Sequence, residues 1–219
     1  MHSELFITED GSHTLYVAAI DECYHSTHGA IQESMHIFID SCLKFCGKDE
    51  IHILEIGFGT GLNAFLSMIE AGRSSKMIHF TSIEKYPLQL EKVVLLNYPD
   101  EISILHKEEF KRMHSCSWGN EVSISPNFKL TKLNDDFTTF NFTTKFDLIY
   151  FDAFSPEKQP EMWTEKLFAT IFNHCNTNAI LTTYCAKGAV RRALQSAGFV
   201  VERIPGPPGK REILRARKV

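Results

Sequence analysis

Three glycines at alternate positions, Gly57, Gly59 and Gly61, follow a short apolar run and precede an amphipathic stretch. A loop without side chains between a strand and a helix lets the backbone approach a nucleotide-like ligand closely. The spacing is GxGxG, whereas dinucleotide-binding enzymes typically have GxGxxG. The segment EIGFGTGLN therefore indicates a nucleotide-like pocket, and its neighbours must decide which ligand it binds.

Three carboxylates stand at the ends of three successive predicted strands, namely Glu55, Glu84 and Asp136. Glu55 would repel a pyrophosphate but suits the ammonium and sulfonium charges of S-adenosylmethionine. We expect Glu84 to accept the hydroxyl protons of a ribose and Asp136 to accept the adenine amino group. Each acid alone could instead cap a turn or a helix, and Asn63 either caps the next helix or touches the cofactor. Together the three acids favour S-adenosylmethionine as the cofactor.

A fourth acid, Asp152, ends the apolar run FDLIYFD and should reach the same edge of the sheet. Methyl transfer needs an acceptor with a free lone pair, and a protonated amine must first lose a proton. Asp152 could orient such an amine and receive its proton. The alternative is a capping or turn role before Pro156.

The elements that must position these residues alternate between short apolar runs and amphipathic stretches, a pattern that predicts a doubly wound α/β fold. We expect seven strands, mostly parallel, with an antiparallel final strand. Gly72 should end the first core helix and Pro87 should begin the second. The predicted strands are 51–56, 77–84, 128–136, 146–154, 178–185, FVVERI and REILRAR, and the predicted helices are 62–72, 87–98, 161–174 and 187–197.

The first 49 residues should form an extension to this core, with a hairpin at about 4–19 and a helix at about 29–45. It could cover the pocket or only cap the sheet. Residues 100–127 predict a helix followed by a loop. Without a repeat or a linker, the 219 residues are expected to form one domain, with residues 1–49 as the extension and residues 50–219 as the Rossmann-like core.

The charge is unevenly distributed. The whole chain carries −4, yet from Lys187 onward nine basic residues stand against two glutamates, a net charge of +7. Such a basic end could bind a polyanion, or it could be a solvated edge paired with the acidic body.

Several classes of protein are disfavoured by the composition. No apolar run reaches the roughly 18 residues of a membrane span, and the start lacks a secretory signal. The six cysteines form no CxxC pair and the ten histidines form no HExxH motif. We expect a cytoplasmic protein with reduced thiols, no metal and no membrane partner.

Several longer stretches resemble a known family: YHSTHGAIQESMHIFI (24–39), IEKYP, YFDAFSPEKQPEMWTEKLF, and GAVRRALQSAGF followed by GPPGKREILRA. They are similar to the methyltransferase half of the bifunctional bacterial enzymes that complete 5-methylaminomethyl-2-thiouridine in tRNA. The resemblance covers nearly the whole chain and implies a class I methyltransferase fold. It also implies conversion of 5-aminomethyl(-2-thio)uridine at the wobble position into the 5-methylaminomethyl form.

The resemblance also implies roles for residues. Asp152 matches the acid proposed to lie beside the substrate amine. The family's cofactor positions match Glu55, Gly57, Gly59, Gly61, Glu84 and Asp136.

A substrate in the tRNA anticodon loop implies roles for further residues. The basic residues Arg191, Arg192, Lys210 and Arg211 are expected to contact phosphates. Tyr24, Phe154 and Trp163 are the candidates for stacking on a base splayed out of the loop. For Trp163, packing in the core is an equal alternative.

The chain also departs from that family. It stops at Val219 without a second dinucleotide fingerprint, so we expect no FAD and no oxidase activity. The uridine would have to arrive already aminomethylated, which implies a functional link to the enzymes that install that group. The loop PGPPGKRE is longer than the family's glycine loop. Two rival functions stay open, a methyltransferase for a small-molecule or protein amine and a nucleotide-binding or dehydrogenase-like protein.

Overall fold

The computed structural model describes residues 3–219, and its chain begins with an appendage to the main sheet. Strands β1 (Ser3–Ile7), β2 (His13–Val17) and β3 (Glu22–Cys23) form a small antiparallel sheet. A short helix α1 (Ala30–Ser34) then continues as a wider π-helical turn, Met35–Asp40, and a 3-10 turn, Leu43–Phe45. The hairpin lies where the sequence predicted it, whereas the expected regular helix at 29–45 is irregular.

The remainder is an alternating α/β core. Its strands are β4 (Glu50–Ile56), β5 (Met77–Ile83), β6 (Glu121–Ser125), β7 (Phe128–Leu133), β8 (Phe146–Phe151), β9 (Cys175–Thr183), β10 (Val200–Pro205) and β11 (Glu212–Arg217). Its helices are α2 (Leu62–Ser74), α3 (Leu90–Val93), α4 (Tyr98–Ile102), α5 (Lys107–Ser115), α6 (Glu165–Asn173) and α7 (Gly188–Ser196), with 3-10 turns at Ile104–His106 and Pro160–Trp163.

The core strands form one sheet in the order β10-β11-β9-β8-β4-β5-β7-β6. Strands β7, β5, β4, β8 and β9 run parallel to one another, while β11 is antiparallel to both of its neighbours. The doubly wound fold with an antiparallel final strand is therefore confirmed.

The number of strands differs from the expectation of seven, because β6 adds an eighth at the edge beside β7. Residues 121–125 were expected in a loop. An edge strand has a solvated side and needs no continuous apolar pattern, and in β6 only Ile124 is buried.

Two helix predictions also need correction. Helix α2 continues past Gly72 to Ser74, and its C-cap residue Ser75 takes the left-handed conformation with φ 56°. The helix expected at 87–98 is interrupted, and Pro99 lies in the first turn of the separate helix α4. Proline is tolerated in a first turn but not in a helix interior, where it lacks a donor and clashes with the preceding turn.

The extension packs into the same hydrophobic cluster as one face of the core. Leu15, Ile37 and Phe38 are buried in that cluster with Phe65 of α2 and Tyr150 of β8. Helices α6 and α7 cover the other face. Strand β8 is buried along its whole length between these layers. It ends at Phe151, so Asp152 is the first residue beyond the strand at this edge of the sheet. None of the helices described for residues 3–219 combines the length and apolarity needed to cross a bilayer.

Candidate functional site

A cavity of about 780 Å³ opens at the carboxyl ends of the central strands β4, β5 and β8. Its wall is formed by the glycine loop after β4, by the loops after β5, β7 and β8, and by residues 22–27 of the extension. Doubly wound sheets bind ligands at this edge. The extension therefore covers the pocket as well as packing on the sheet.

The glycine loop approaches its neighbours too closely for side chains. A Cβ on Gly57 would lie 3.2 Å from the carbonyl oxygen of Asp152, and one on Gly59 would lie 2.9 Å from the ring of Tyr24. Both glycines also have positive φ, 92° and 49°. Gly57 and Gly59 line the cavity, whereas Gly61 lies outside its wall and begins α2 as its N-cap residue.

Asp152 lies in the cavity wall and is half-buried there. Its Oδ2 accepts a 2.8 Å hydrogen bond from Nδ2 of Asn63. Burial raises the pKa of Asp152 to about 7, and the hydrogen bond from Asn63 opposes that rise. Near neutral pH this carboxyl can therefore both accept and release a proton.

Asn63 is the second residue of α2 and lines the cavity beside Asp152. Its side chain does not cap the helix, because Gly61 occupies the N-cap position. Of the two expected roles, helix capping is thus wrong, and Asn63 instead donates a hydrogen bond to Asp152.

Glu55 lies beneath the loop rather than in the cavity wall. Its Oε2 accepts a 2.6 Å hydrogen bond from Ser82, while its Oε1 has no hydrogen-bond partner within residues 3–219. Burial raises the pKa of Glu55 well above its usual range. A buried carboxylate oxygen without a partner is suited to a cationic group or to a polar bridge to one.

Glu84 is half-buried in the wall and is held by two backbone groups. The N–H of Gly59 donates to Oε2 at 3.1 Å and that of Tyr86 donates to Oε1 at 2.7 Å. Because each carboxylate oxygen can accept more than one hydrogen bond, Glu84 can still receive hydroxyl protons from a ligand.

Asp136 lies in the loop beyond β7 and lines the cavity, but its oxygens already have partners. Lys85 Nζ donates to Oδ2 at 2.8 Å, and the N–H and hydroxyl of Thr138 donate to Oδ1 at 2.9 and 2.6 Å. The hydrogen bond from Lys85 contributes most to lowering the pKa of Asp136 to about 2. Asp136 therefore caps a turn, which is the alternative role that the sequence left open for each of the three acids.

Two of the three expected stacking residues line the cavity. The rings of Tyr24 and Phe154 meet edge to face, with centroids 5.1 Å apart. Trp163 is buried outside the wall, where its Nε1 donates to the carbonyl oxygen of Phe154 at 2.9 Å and its ring packs on Phe151. The stacking role of Trp163 is thus wrong, because the indole is used to support the Phe154 loop from the core.

The four basic residues expected at the pocket separate into two groups. Lys210 lines the cavity, with its Nζ 2.8 Å from Oε1 of Glu33 and 5.2 Å from the centre of the Tyr184 ring. Arg211 points outward with 94% of its side chain exposed. Arg191 and Arg192 lie on α7, away from the cavity wall.

The extension contributes residues that the sequence patterns did not single out. Glu22 accepts hydrogen bonds from the N–H and hydroxyl of Ser155 at 3.1 and 2.9 Å. His25 lies 2.7 Å from the hydroxyl of Thr60 in the glycine loop, and burial lowers the pKa of its imidazole to about 4. Such long-range contacts leave no periodic signal in a sequence. Tyr184, in contrast, directly follows strand β9 and could have been found by the rule that located Asp152.

A second cluster lies at the opposite end of the strands. Potential ligand atoms of Glu50, His52 and His79 lie within 4.8 Å of one another. The two ring nitrogens of His79, however, face the carboxylates of Glu50 and Glu121 at 3.1 and 2.8 Å.

Comparison with known proteins gives the site its class. Residues 120–219 match the family model described as S-adenosyl-L-methionine-dependent methyltransferase. The tRNA 5-methylaminomethyl-2-thiouridine biosynthesis bifunctional protein MnmC of Cupriavidus metallidurans is 31% identical over 98% of this chain and 34% of its own length. The MnmC protein of Aromatoleum aromaticum is 32% identical over 98% of this chain and 35% of its own. The chain thus spans about a third of the length of these relatives.

Solved structures agree with this relationship. The crystal structure of MnmC2 from Aquifex aeolicus superposes with a TM-score of 0.83 at 27% identity, covering 98% of this chain and 70% of that one. Spermidine synthase from Thermotoga maritima, at a TM-score of 0.56 and 11% identity over all of this chain and 72% of its own, shares the fold alone.

Fold, cavity and comparisons together define a class I S-adenosylmethionine-dependent methyltransferase, with S-adenosylmethionine as the methyl donor. Within that class, 98% of the chain is similar to about a third of the length of the MnmC proteins and to most of MnmC2 from Aquifex aeolicus.

Proposed function

We propose that this chain N-methylates 5-aminomethyl(-2-thio)uridine at the wobble position of tRNA, giving the 5-methylaminomethyl form. The observation that carries the proposal is Asp152, a proton acceptor with a pKa of about 7 in the wall of the methyl-donor cavity. The relationship to MnmC proteins over 98% of the chain supports the choice of substrate.

The residues present fit the methyl donor, which supplies an electrophilic methyl group when it is bound. Gly57 and Gly59 would let the backbone contact it, and Glu84 would accept its ribose hydroxyl protons. Glu55 has a free oxygen that would favour the cationic end of the donor. For Asp136 we propose the contact with the adenine amino group through lone pairs that Lys85 and Thr138 leave free.

Asp152 would prepare the acceptor. An alkylammonium has no lone pair, so its nitrogen must lose a proton before it can be methylated. A base is most effective when its pKa is near the working pH, and the pKa of Asp152 is about 7. Asn63 would hold the carboxylate in one orientation through the 2.8 Å hydrogen bond.

On the RNA side, we propose that Tyr24 and Phe154 contact a wobble base that is turned out of the anticodon loop. Arg191, Arg192 and Arg211 would contact phosphates outside the cavity. Lys210 is excluded from that group, since its ammonium faces Glu33 inside the wall.

One observation favours a small or protein-borne amine as the alternative acceptor. Much of the basic C-terminal part pairs with nearby carboxylates, for example Arg203 with Glu212 at 3.0 Å and Arg215 with Glu202 at 2.7 Å. Those charges are less available to phosphates than the sequence alone suggested.

The experiment that separates these functions uses tRNA from cells that lack this enzyme. The protein and methyl donor are incubated with that tRNA, and the wobble nucleoside is analysed by mass spectrometry. We expect the mass gain of one methyl group, no gain with tRNA from wild-type cells, and a strongly reduced rate of gain with the Asp152→Asn variant. Methylation of small amines without any gain on tRNA would contradict the tRNA assignment but not the methyltransferase class.

Three further expectations follow from this substrate. Enzymes that install the aminomethyl group must act before this chain, and the methylation itself requires neither FAD nor a metal. We place the reaction in the cytoplasm, where tRNA is modified.

We also propose that the chain folds as one domain, because Leu15 and Ile37 of the extension are buried in the core cluster.

A further inference from the structure

Lys210 and Glu33 form an ion pair in the cavity wall, and neither residue has a role in the reaction proposed above. The Nζ of Lys210 lies 2.8 Å from Oε1 of Glu33, and their side chains are 28% and 11% exposed. Lys210 comes from the loop between β10 and β11, while Glu33 comes from α1 of the extension. Both residues line the cavity that also contains Asp152.

The contacts around this pair fix its position. The N–H of Ser26 donates to Oε2 of Glu33 at 2.8 Å. The loop that carries Lys210 rests on the extension, since His36 Nε2 lies 2.8 Å from the carbonyl oxygen of Pro205. Gly209 lies against the ring of His28 so closely that a Cβ would overlap it. The lysine is therefore held inward by its own loop as well as by its charge.

The pair acts on Asp152 with opposite signs. Beyond the dominant effect of burial, the charge of Glu33 raises the pKa of Asp152 and the charge of Lys210 lowers it. Two other titratable groups interact with Asp152, namely Glu55 from β4 and Tyr184 after β9. Neither of these forms an ion pair with Lys210 among the described residues.

We propose that Lys210 neutralises Glu33 at the acceptor end of the cavity, so that Asp152 rather than Glu33 receives the proton of the acceptor amine. This inference rests on the proposed function, in which the acceptor is an alkylamine. Lys210 and Glu33 are positioning residues in this scheme, because they act through the charge that surrounds Asp152.

The physical reason is the basicity of the acceptor. An alkylammonium has an ordinary pKa of about 10.4, and each nearby negative charge raises it further. Two free carboxylates would therefore stabilise the protonated amine that cannot react. With Glu33 neutralised, the ammonium gives one proton to Asp152 and keeps the electron pair of that N–H bond.

Atoms and electrons balance in the methyl transfer that follows. The nitrogen pair forms the new N–C bond, the electron pair of the broken C–S bond stays on sulfur, and the product leaves as a secondary ammonium. Asp152 returns its proton to solvent before the next turnover.

The test compares E33Q, K210M and the double variant E33Q/K210M, all of which lose the ion pair. Activity should rise with pH as Asp152 ionises. K210M leaves Glu33 uncompensated, so this rise should move by about one unit to higher pH. E33Q leaves the lysine charge uncompensated, so the rise should move by about one unit to lower pH. The double variant and K210R should resemble the wild type.

A purely structural clamp makes a different prediction, because all three variants break the same contact. It requires shifts of the same sign, or none, with the double variant no better than the single ones. That pattern in correctly folded protein would overturn the proposal.

A second measurement is independent of the substrate. Carboxyl ¹³C NMR titrates Asp152 in the free protein, with its signal assigned by its loss in Asp152→Asn. Opposite shifts of its pKa in K210M and E33Q support the charge relationship, and shifts of equal sign overturn it. If the wild type fails to methylate tRNA, the proposed function fails, and the titration still decides whether Lys210 and Glu33 control Asp152.

Discussion

The side chain of Asn63 donates a 2.8 Å hydrogen bond from Nδ2 to Oδ2 of Asp152 and so connects the first turn of α2 to the end of β8. The glycine loop lies between these two elements in the cavity wall. The carboxyl that is proposed to receive a proton is therefore hydrogen-bonded to the helix that begins at the glycine loop.

Replacing Asp152 tests its role directly. Asp152→Asn keeps the shape but removes the proton acceptor, so turnover should fall by about 10²- to 10⁴-fold. Affinity for S-adenosylhomocysteine, measured by calorimetry, should change little because Asp152 is assigned to the acceptor. Lost cofactor affinity with nearly normal turnover would refute that assignment.

Asp152 should also make stability depend on pH. Its pKa is about 7 in the folded protein, against an ordinary value of 3.8. The folded state thus binds more protons than the unfolded state between these values, and the free energy of unfolding falls as pH rises through that window. Asp152→Asn removes this penalty and should stabilise the protein at pH 8 by on the order of 1–2 kcal/mol.

Chemical unfolding of both proteins at pH 5 and pH 8 measures this difference. The advantage of Asp152→Asn should be larger at pH 8, where the wild-type carboxylate is ionised in the folded state. An equal advantage at both values would mean that the carboxyl does not titrate in this range.

Asn63→Ala examines the hydrogen bond. Its loss removes a donor to the charged form of Asp152, so the pKa of that carboxyl should rise. The pH at which activity rises should then increase, while affinity for S-adenosylhomocysteine is retained. Weak cofactor binding with an unchanged pH profile would instead assign Asn63 to the methyl donor.

Gly59→Ala tests the contact between the glycine loop and the extension. The added Cβ would meet the Tyr24 ring at 2.9 Å, and the residue has φ 49°. We expect a loss of about 1–3 kcal/mol in stability and weaker cofactor binding.

Gly72→Ala is the matched control for that variant, because Gly72 lies inside α2 and a Cβ there would meet nothing within 4 Å. It should stabilise the protein by up to about 1 kcal/mol. Equal effects of the two substitutions in thermal unfolding would contradict the close packing at Gly59.

The outward arginines make a prediction about salt. If Arg192 and Arg211 contact phosphates, each replacement by Ala should weaken tRNA binding and reduce the slope of log Kd against log salt by about one. Arg203→Ala is the control, because Arg203 pairs with Glu212 at 3.0 Å. Similar slopes for all three variants would argue against those contacts.

The sequence predicted the parts of the site that depend on strand ends. The glycine loop follows β4 and Asp152 follows β8 because parallel strands bring their carboxyl ends to one edge. The same rule gave Asp136 a place in the wall, but it could not reveal that Lys85 and Thr138 occupy its oxygens.

Partners that are distant in the chain could not be predicted. Nothing near Lys210 in the sequence indicates Glu33, since the contact depends on how the extension packs. Trp163 shows the same limit, because an apolar ring suits a base or a core equally well until the fold buries it. The edge strand β6 was missed because its exposure weakens its pattern.

Tyr24 lies at the junction of two regions, with its ring near Gly59 and its edge contact with Phe154. One side chain thus connects the glycine loop after β4 with the loop after β8 in the wall of the cavity. We expect that a ligand that displaces the Tyr24 ring from the glycine loop also changes its contact with Phe154.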